Sequence, residues 1–406
     1  MKKLLKKTVI AITCSTALFL TACNDDNKSI FQEKFFVSER SYQLDSLAEA
    51  EKIQVMKYFM PNVLGQRAEA TAMVIFPKKE RPANGWPVVV WAHGTTGVGD
   101  DCAPSVNLIN ERFEILANSL LDAGYVIVAP DYEGLGVRGI HPYLHLSSAA
   151  LSAINAVKAV HQAYPNQLNR SWMSVGQSQG GHASLGIAEY ANNDSNYKGA
   201  VATAPASSLG YIITQVAPGA IRDIESKNQA AAIAVYSELL AYAALTGVGI
   251  KAYESRFSLA TIFQTRSALV AEKAEGTTGE NGSCLDSLIG AFSKDIREYL
   301  GDNTTAKVMD YPGLQSDFES DPIVEKFLKD NQPGTKRLSK PVYVVQGELD
   351  TAVPYQVTQN LVKVLNDKGT TPPVVFELVE GASHTQAIVQ RNKEVVDFIK
   401  RYLPPQ

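Results

Sequence analysis

Short, nearly unbroken apolar runs alternate with segments of helical spacing over two separate parts of this chain. Pro87-Val88-Val89-Val90-Trp91-Ala92, Tyr125-Val126-Ile127-Val128-Ala129-Pro130 and Val342-Tyr343-Val344-Val345-Gln346 are too short for helices and too apolar for half-exposed strands. Such runs predict strands covered on both faces, as in a parallel sheet. Trp172-Met173-Ser174-Val175, Gly199-Ala200-Val201-Ala202-Thr203-Ala204 and Val374-Val375-Phe376-Glu377-Leu378 add three more strands. Residues 69–76 alternate and predict an early antiparallel strand. Helical spacing covers 113–123, 147–163, 182–190, 355–367 and 386–402. Residues 31–60 show no clear period and are expected to cover one sheet edge. Strands with helices between them predict a doubly wound, mainly parallel α/β sheet built from 31–205 and 339–406. From 206 to 338 the alternation stops. Apolar helical runs such as Ala231, Ile233, Ala234, Tyr236, Leu239 and Leu240 predict a mostly helical insertion there.

The first 22 residues read as a leader rather than as part of the fold. Lys2, Lys3, Lys6 and Lys7 precede an apolar stretch over 8–20, too short for a stable bilayer span. Leu20-Thr21-Ala22-Cys23 resembles the lipobox of bacterial lipoprotein signal peptides, where cleavage precedes a cysteine that is then lipid-modified. Residues 23–30 are then a lipid-anchored tether, and two attached lipids meet the requirement for lasting membrane attachment. Asn24, rather than Asp, favours the outer membrane by resemblance to the enterobacterial sorting rule. An ordinary secretory leader cut nearby is the alternative. Without the leader, 34 basic groups stand against 42 acidic ones, a net charge near −8. That argues against nucleic acid or anionic lipid as main partners. Residues 230–250 come closest to a second membrane span, but Glu238 sits in the middle. Cys14 leaves with the leader, and Cys23 is the proposed lipid site. Cys102 and Cys284 remain as an even pair in an exported chain, which favours a disulfide. Two buried free thiols are the alternative.

Candidate chemistry centres on Gly176-Gln177-Ser178-Gln179-Gly180-Gly181, between the 172–175 strand and the 182–190 helix. Strand, G-x-S-x-G and helix form the context of a nucleophile elbow. The glycines remove β-carbons where strand and helix cross, and the helix N-terminus points N–H groups at an oxyanion. A serine hydroxyl needs a base, and the base needs an orienting acid. Of the six histidines, only His384 follows a late strand. Asp350, in the turn between Gly347 and Pro354, is preferred as the acid over Glu348, Asp321 and Glu380. The order Ser178, Asp350, His384 is that of α/β-hydrolases. An oxyanion hole needs two N–H groups. One is expected from Gln179 and the other from the loop His93-Gly94-Thr95-Thr96-Gly97, with Thr95 first and Thr96 behind it. His182, one turn beyond Ser178, is expected to pack or cap.

Gly134-Leu135-Gly136-Val137-Arg138-Gly139 matches a dinucleotide-binding pattern but lacks the helix and the later acid that such a site requires. It is read as a loop. No zinc, P-loop or EF-hand spacing appears, so no cofactor or metal is expected.

Several motifs in order together resemble the secretory lipase family, α/β-hydrolases related to yeast lipase A. They are Asp101-Cys102-Ala103-Pro104-Ser105, Asp131-Tyr132-Glu133-Gly134, Gly176 through Ala183, Ser283-Cys284-Leu285, Asp350 through Tyr355, and Ser383-His384. The resemblance implies an α/β-hydrolase fold with a helical cap over 206–338 and a triad of Ser178, Asp350 and His384. It also implies a disulfide between Cys102 and Cys284 and hydrolysis of carboxylic esters, triacylglycerols included. The lipid-anchored leader is not a family hallmark, and the yeast-type oxyanion loop lacks His93-Gly94. The expectation is an outer-membrane-anchored serine esterase or lipase acting on an ester or lipid through an acyl-enzyme. A serine peptidase or amidase on the same fold is one rival, although no charged anchor for a peptide terminus stands out in the cap. A non-catalytic lipoprotein that binds a lipid or a partner is another. The sequence leaves the oligomeric state open.

Overall fold

The structure is a computed structural model and describes residues 33–405. The leader and the candidate lipid site Cys23 lie outside the described residues.

Nine strands form one sheet: β1 (Phe36–Ser41), β2 (Ala50–Pro61), β3 (Arg67–Pro77), β4 (Trp86–Ala92), β5 (Val126–Pro130), β6 (Leu168–Gln177), β7 (Tyr197–Thr203), β8 (Val342–Gly347) and β9 (Val375–Val379). Their order is β1-β2-β3-β5-β4-β6-β7-β8-β9. The pairs β1–β2, β2–β3 and β3–β5 are antiparallel. The five remaining pairs are parallel. Residues 31–60 thus do more than cover an edge: they supply β1 and most of β2. The long hairpin of β2 and β3 buries Met56, Tyr58 and Met60 on one face, but intermediate residues between them obscure the period.

Period-2 alternation explains how the parallel strands serve two cores at once. Val88 and Val90 of β4, Val126 and Val128 of β5, and Val342 and Val344 of β8 enter one apolar cluster. There they meet α2 (Leu146–Ala163), α3 (Gln179–Tyr190) and α10 (Tyr355–Asp367). Val89 and Trp91, Ile127 and Ala129, and Tyr343 and Val345 enter the opposite cluster. That cluster holds α1 (Glu111–Asp122), α11 (Gln386–Gln390) and α12 (Asn392–Tyr402). The sequence predicts one helix over 386–402, whereas the structure breaks it at Arg391. This arrangement is an α/β-hydrolase sheet.

Between β7 and β8 the chain forms α4 (Leu209–Tyr211), α5 (Ala217–Glu225), α6 (Gln229–Lys251), α7 (Thr265–Glu275), α8 (Leu285–Asp302) and α9 (Pro322–Asp330). A third apolar cluster joins them, with Leu240, Ala244, Leu245 and Val248 of α6 packed among Phe263, Leu288, Phe292 and Ile296. By length and composition α6 is apolar enough to cross a membrane, but 67% of its most apolar window is buried inside the protein. Its apolar character is therefore that of a core helix.

Cys102 and Cys284 form a disulfide, with Cα atoms 5.4 Å apart and a sequence separation of 182. Around it the Asp100 N–H donates to the Glu280 carbonyl at 2.7 Å, and the Leu285 N–H donates to the Thr96 carbonyl at 2.9 Å. A side chain on Gly97, held at φ 141°, would meet Cys102 Sγ at 2.6 Å and Cys284 Cα at 2.9 Å. The start of α8 is thus tied to the loop after β4. Cys102→Ser/Cys284→Ser removes the covalent tie, and the loss expected for so long a loop is about 2–5 kcal/mol. Denaturant unfolding of the two proteins checks it. A midpoint and slope equal to those of the parent would contradict the structural role.

Candidate active site

Ser178 is the N-cap of α3, with φ 60° and ψ −118°. A non-glycine residue persists there only when its surroundings impose the conformation. Here they do. The Ser178 N–H donates to the Thr203 carbonyl at 2.9 Å, and the Ser178 carbonyl accepts from the His182 N–H at 3.0 Å. A β-carbon on Gly180 would overlap the Ala92 carbonyl oxygen, and one on Gly176 would overlap the Gly180 carbonyl oxygen. Strand β4 and helix α3 therefore cross at backbone contact, and only glycine fits at either position. The side chain of Ser178 is left partly exposed in a site whose strands and helix are otherwise buried.

Asp350 follows β8 and is buried. All four acceptor positions of its carboxylate are used. Oδ1 accepts from the Ala352 N–H at 2.9 Å and the Val353 N–H at 2.8 Å. Oδ2 accepts from Gln346 Nε2 at 2.7 Å and from His384 Nδ1 at 2.7 Å. A carboxylate so satisfied can only accept, so His384 carries a proton on Nδ1, and in the neutral ring Nε2 is then the lone pair. Nε2 is buried without a hydrogen-bond partner among the described residues. The loop bearing His384 is held at both sides. The Leu349 N–H donates to the Ala382 carbonyl at 2.9 Å, and Gln177 Nε2 donates to the His384 carbonyl at 3.3 Å. The competing acids lie elsewhere. Glu348 accepts from the Gly381 N–H, Asp321 caps α9, and Glu380 is exposed.

Three other histidines have structural partners. His182 Nε2 donates to the Asn331 carbonyl at 2.9 Å, and burial pulls its pKa down to about 4. His141 donates from Nδ1 to the Glu133 carbonyl and meets Gln179 Nε2 at 3.1 Å, with burial pulling it down to about 3. His93 is buried between the carbonyls of Gly94 and Asp131. The glycine-rich segment 134–139 is a loop with Gly134, Gly136 and Gly139 at positive φ, and the next helix begins only at Leu146. Among the described residues no group of three or more His, Cys, Asp or Glu side chains is placed to hold a metal ion.

Of the predicted oxyanion residues, Gln179 opens α3, whose first N–H groups have no acceptor within the helix. Its side chain points away, to His141. Thr95 Oγ1 lies 2.7 Å from the Tyr143 hydroxyl, and Thr96 Oγ1 is buried without a partner among the described residues. Two cavities meet at Ser178. One, of about 520 Å³, is lined by Ser178, His384, Thr95, Thr96, Arg112, Glu238 and Tyr242, among others. The second, of about 100 Å³, is lined by Ser178, Ala206, Ile212, Leu239, Tyr242 and Val353, with further apolar residues. His384 lines only the first. Glu238, Tyr143 and Gln346 escaped the sequence reading. Glu238 alone left a signal there, as the one acid in the apolar run of α6.

The family profile of the secretory lipases matches residues 106–401. The chain belongs to the secretory lipase family. A search of curated protein sequences returns no match. Among solved structures, a candidate hydrolase of Legionella pneumophila is similar, with TM-score 0.70, 19% identity, and coverage of 91% of this chain and 98% of that one. The rice cell wall degrading esterase LipA of Xanthomonas oryzae gives TM-score 0.64 at 18% identity, covering 90% and 97%. Candida antarctica lipase A in its closed state gives 0.65 at 16%, covering 93% and 84%. At these identities the likeness is one of fold, and it agrees with the sheet described above. Membership in the family supports carboxylic ester hydrolysis.

Gln346 of β8 couples this site to α10, since its amide oxygen also accepts from the Thr358 hydroxyl at 2.7 Å. Gln346→Leu leaves Asp350 Oδ2 held by His384 alone. The expected result is a kcat about tenfold lower or less, with KM within about twofold, in steady-state ester hydrolysis. An unchanged kcat would remove Gln346 from the orienting network.

Proposed function

We propose that the protein hydrolyses short-chain acyl esters through an acyl-enzyme on Ser178, with His384 as the base and Asp350 orienting it. The observation that carries this reading is His384 itself. Its Nδ1 is committed to a fully satisfied Asp350, and its Nε2 is an unpartnered lone pair beside the cavity that Ser178 also lines. Nε2 takes the Ser178 proton as the hydroxyl attacks the ester carbonyl. The resulting oxyanion falls to the N–H groups at the start of α3 and in the 94–97 loop, Gln179 with Thr95 or Thr96. His384 then returns the proton to the departing alcohol, and a water repeats the sequence to release the acid.

That proton transfer divides the substrate between the two cavities. The leaving oxygen must come within reach of His384, so the alcohol lies in the larger cavity. The acyl chain takes the apolar one, which His384 does not line. An apolar cavity of about 150 Å³ holds a benzene molecule. A cavity of about 100 Å³ therefore suits an acyl chain of about four carbons. The segment 206–338 supplies most of that lining and acts as the cap. The lipobox-like Leu20-Thr21-Ala22-Cys23 supports export and attachment to the outer membrane through Cys23, with residues 1–22 as the signal peptide.

Hydrolysis of p-nitrophenyl esters from acetate to palmitate, beside Ser178→Ala, tests the reading. The rate is expected to peak near butyrate and to fall by about 10⁴-fold or more in the variant. A peak at palmitate would contradict the short acyl site. Undiminished hydrolysis by Ser178→Ala would remove the serine mechanism altogether.

A further inference from the structure

Three charged groups line the larger cavity without a role in acyl transfer, Arg112, Asp286 and Glu238, and of these Glu238 stands on α6. Glu238 lies at the middle of α6, one turn before Tyr242, so both side chains share a helix face. Both line the cavity that holds Ser178 and His384. The Tyr242 hydroxyl donates to Glu238 Oε1 at 2.6 Å. Burial, and then the Glu238 carboxylate, hold that hydroxyl well above the usual phenol range, so it remains a donor. Glu238 makes no other hydrogen bond and no ion pair among the described residues. Its second oxygen therefore has no protein partner among the described residues. That oxygen is open to the cavity, where a donor or a cation on a bound ester can replace water on it. On the fold side Glu238 accepts the Tyr242 hydroxyl, while its neighbours on α6, Leu239 and Leu240, make the apolar packing.

We propose that Glu238 selects esters whose alcohol portion carries a polar hydrogen, either a hydroxyl or a protonated amine, that reaches its free oxygen. This rests on the hydrolase reading above and extends it to the leaving group. The same placement separates the site from an exopeptidase that removes an N-terminal residue. The terminal amine of such a substrate travels with the acyl part, whereas Glu238 stands on the side where His384 protonates the departing group.

Three butyrates of matched acyl chain test the assignment: propyl butyrate, 1-butyrylglycerol and 3-(dimethylamino)propyl butyrate. The full chain is compared with Glu238→Gln and Glu238→Leu. Fluorophosphonate labelling of Ser178 and the thermal midpoint establish that each variant is folded with a competent site. The readout is the ratio of kcat/KM for each polar ester to that for propyl butyrate. Glu238→Leu is expected to lower both ratios about tenfold. Glu238→Gln keeps an oxygen acceptor without charge, so it should preserve the glycerol ratio if a hydroxyl is the natural partner. It should lower the amine ratio whichever partner is natural. Ratios unchanged in Glu238→Leu would overturn the proposal while leaving the hydrolase reading intact. No hydrolysis of any of the three esters by the parent protein would instead overturn the hydrolase reading.

Discussion

The backbone contact between α3 and β4 sets the geometry on which the rest of the site depends. Gly180 and Gly176 let the helix and strand approach until a single β-carbon would overlap a carbonyl oxygen. That approach holds Ser178 at a positive φ, and two backbone hydrogen bonds fix it there. The strain of such a backbone, of order 1–3 kcal/mol, is offset by the buried strands on either side rather than within the turn itself. Because β4 also ends in the loop carrying Thr95 and Thr96, the same crossing brings the N-terminus of α3 close to that loop.

Two further constraints build outward from that crossing. The sheet brings the loops after β8 and β9 next to the elbow; the Gln177 amide joins the His384 loop to it, and the Gln346 amide holds Asp350 to β8. The disulfide and its flanking hydrogen bonds fasten the start of α8 to the loop after β4. The helical segment therefore does not simply lie over the site. It supplies Leu239 to the apolar cavity, Glu238 to the polar one and Tyr242 to both. One helix thus contributes opposite chemistry to the two sides of Ser178, and on the proposed reading this asymmetry matches a short apolar acid and a polar alcohol.

Much of this was legible from residue order. Buried strands announce themselves when valines face two cores, as Val88, Val89 and Val90 do. The elbow and the candidate acid each follow such a strand and the candidate base follows the more exposed β9, so Ser178, Asp350 and His384 stand out as candidates from residue order, and the Cys102–Cys284 pair from its even count. What stayed hidden depends on contacts distant in sequence. Gln346 looks like an ordinary strand residue until Thr358 and Asp350 are placed on its amide. Tyr143 gains its place only by meeting Thr95. The β1–β2 edge was obscured because several of its residues are half-buried, and half-burial blurs a period of two. Glu238 showed in the sequence as an argument against a membrane span, and only the cavity beside it gives that charge a direction.

The central claim is that Ser178 is the activated nucleophile. The most direct measurement is treatment of the folded protein with a fluorophosphonate, followed by mass analysis of the intact chain and of its peptides. The account predicts one adduct per chain, on the peptide containing Ser178, formed slowly or not at all in His384→Ala. Labelling elsewhere, or equal labelling of Ser178 without His384, would contradict it.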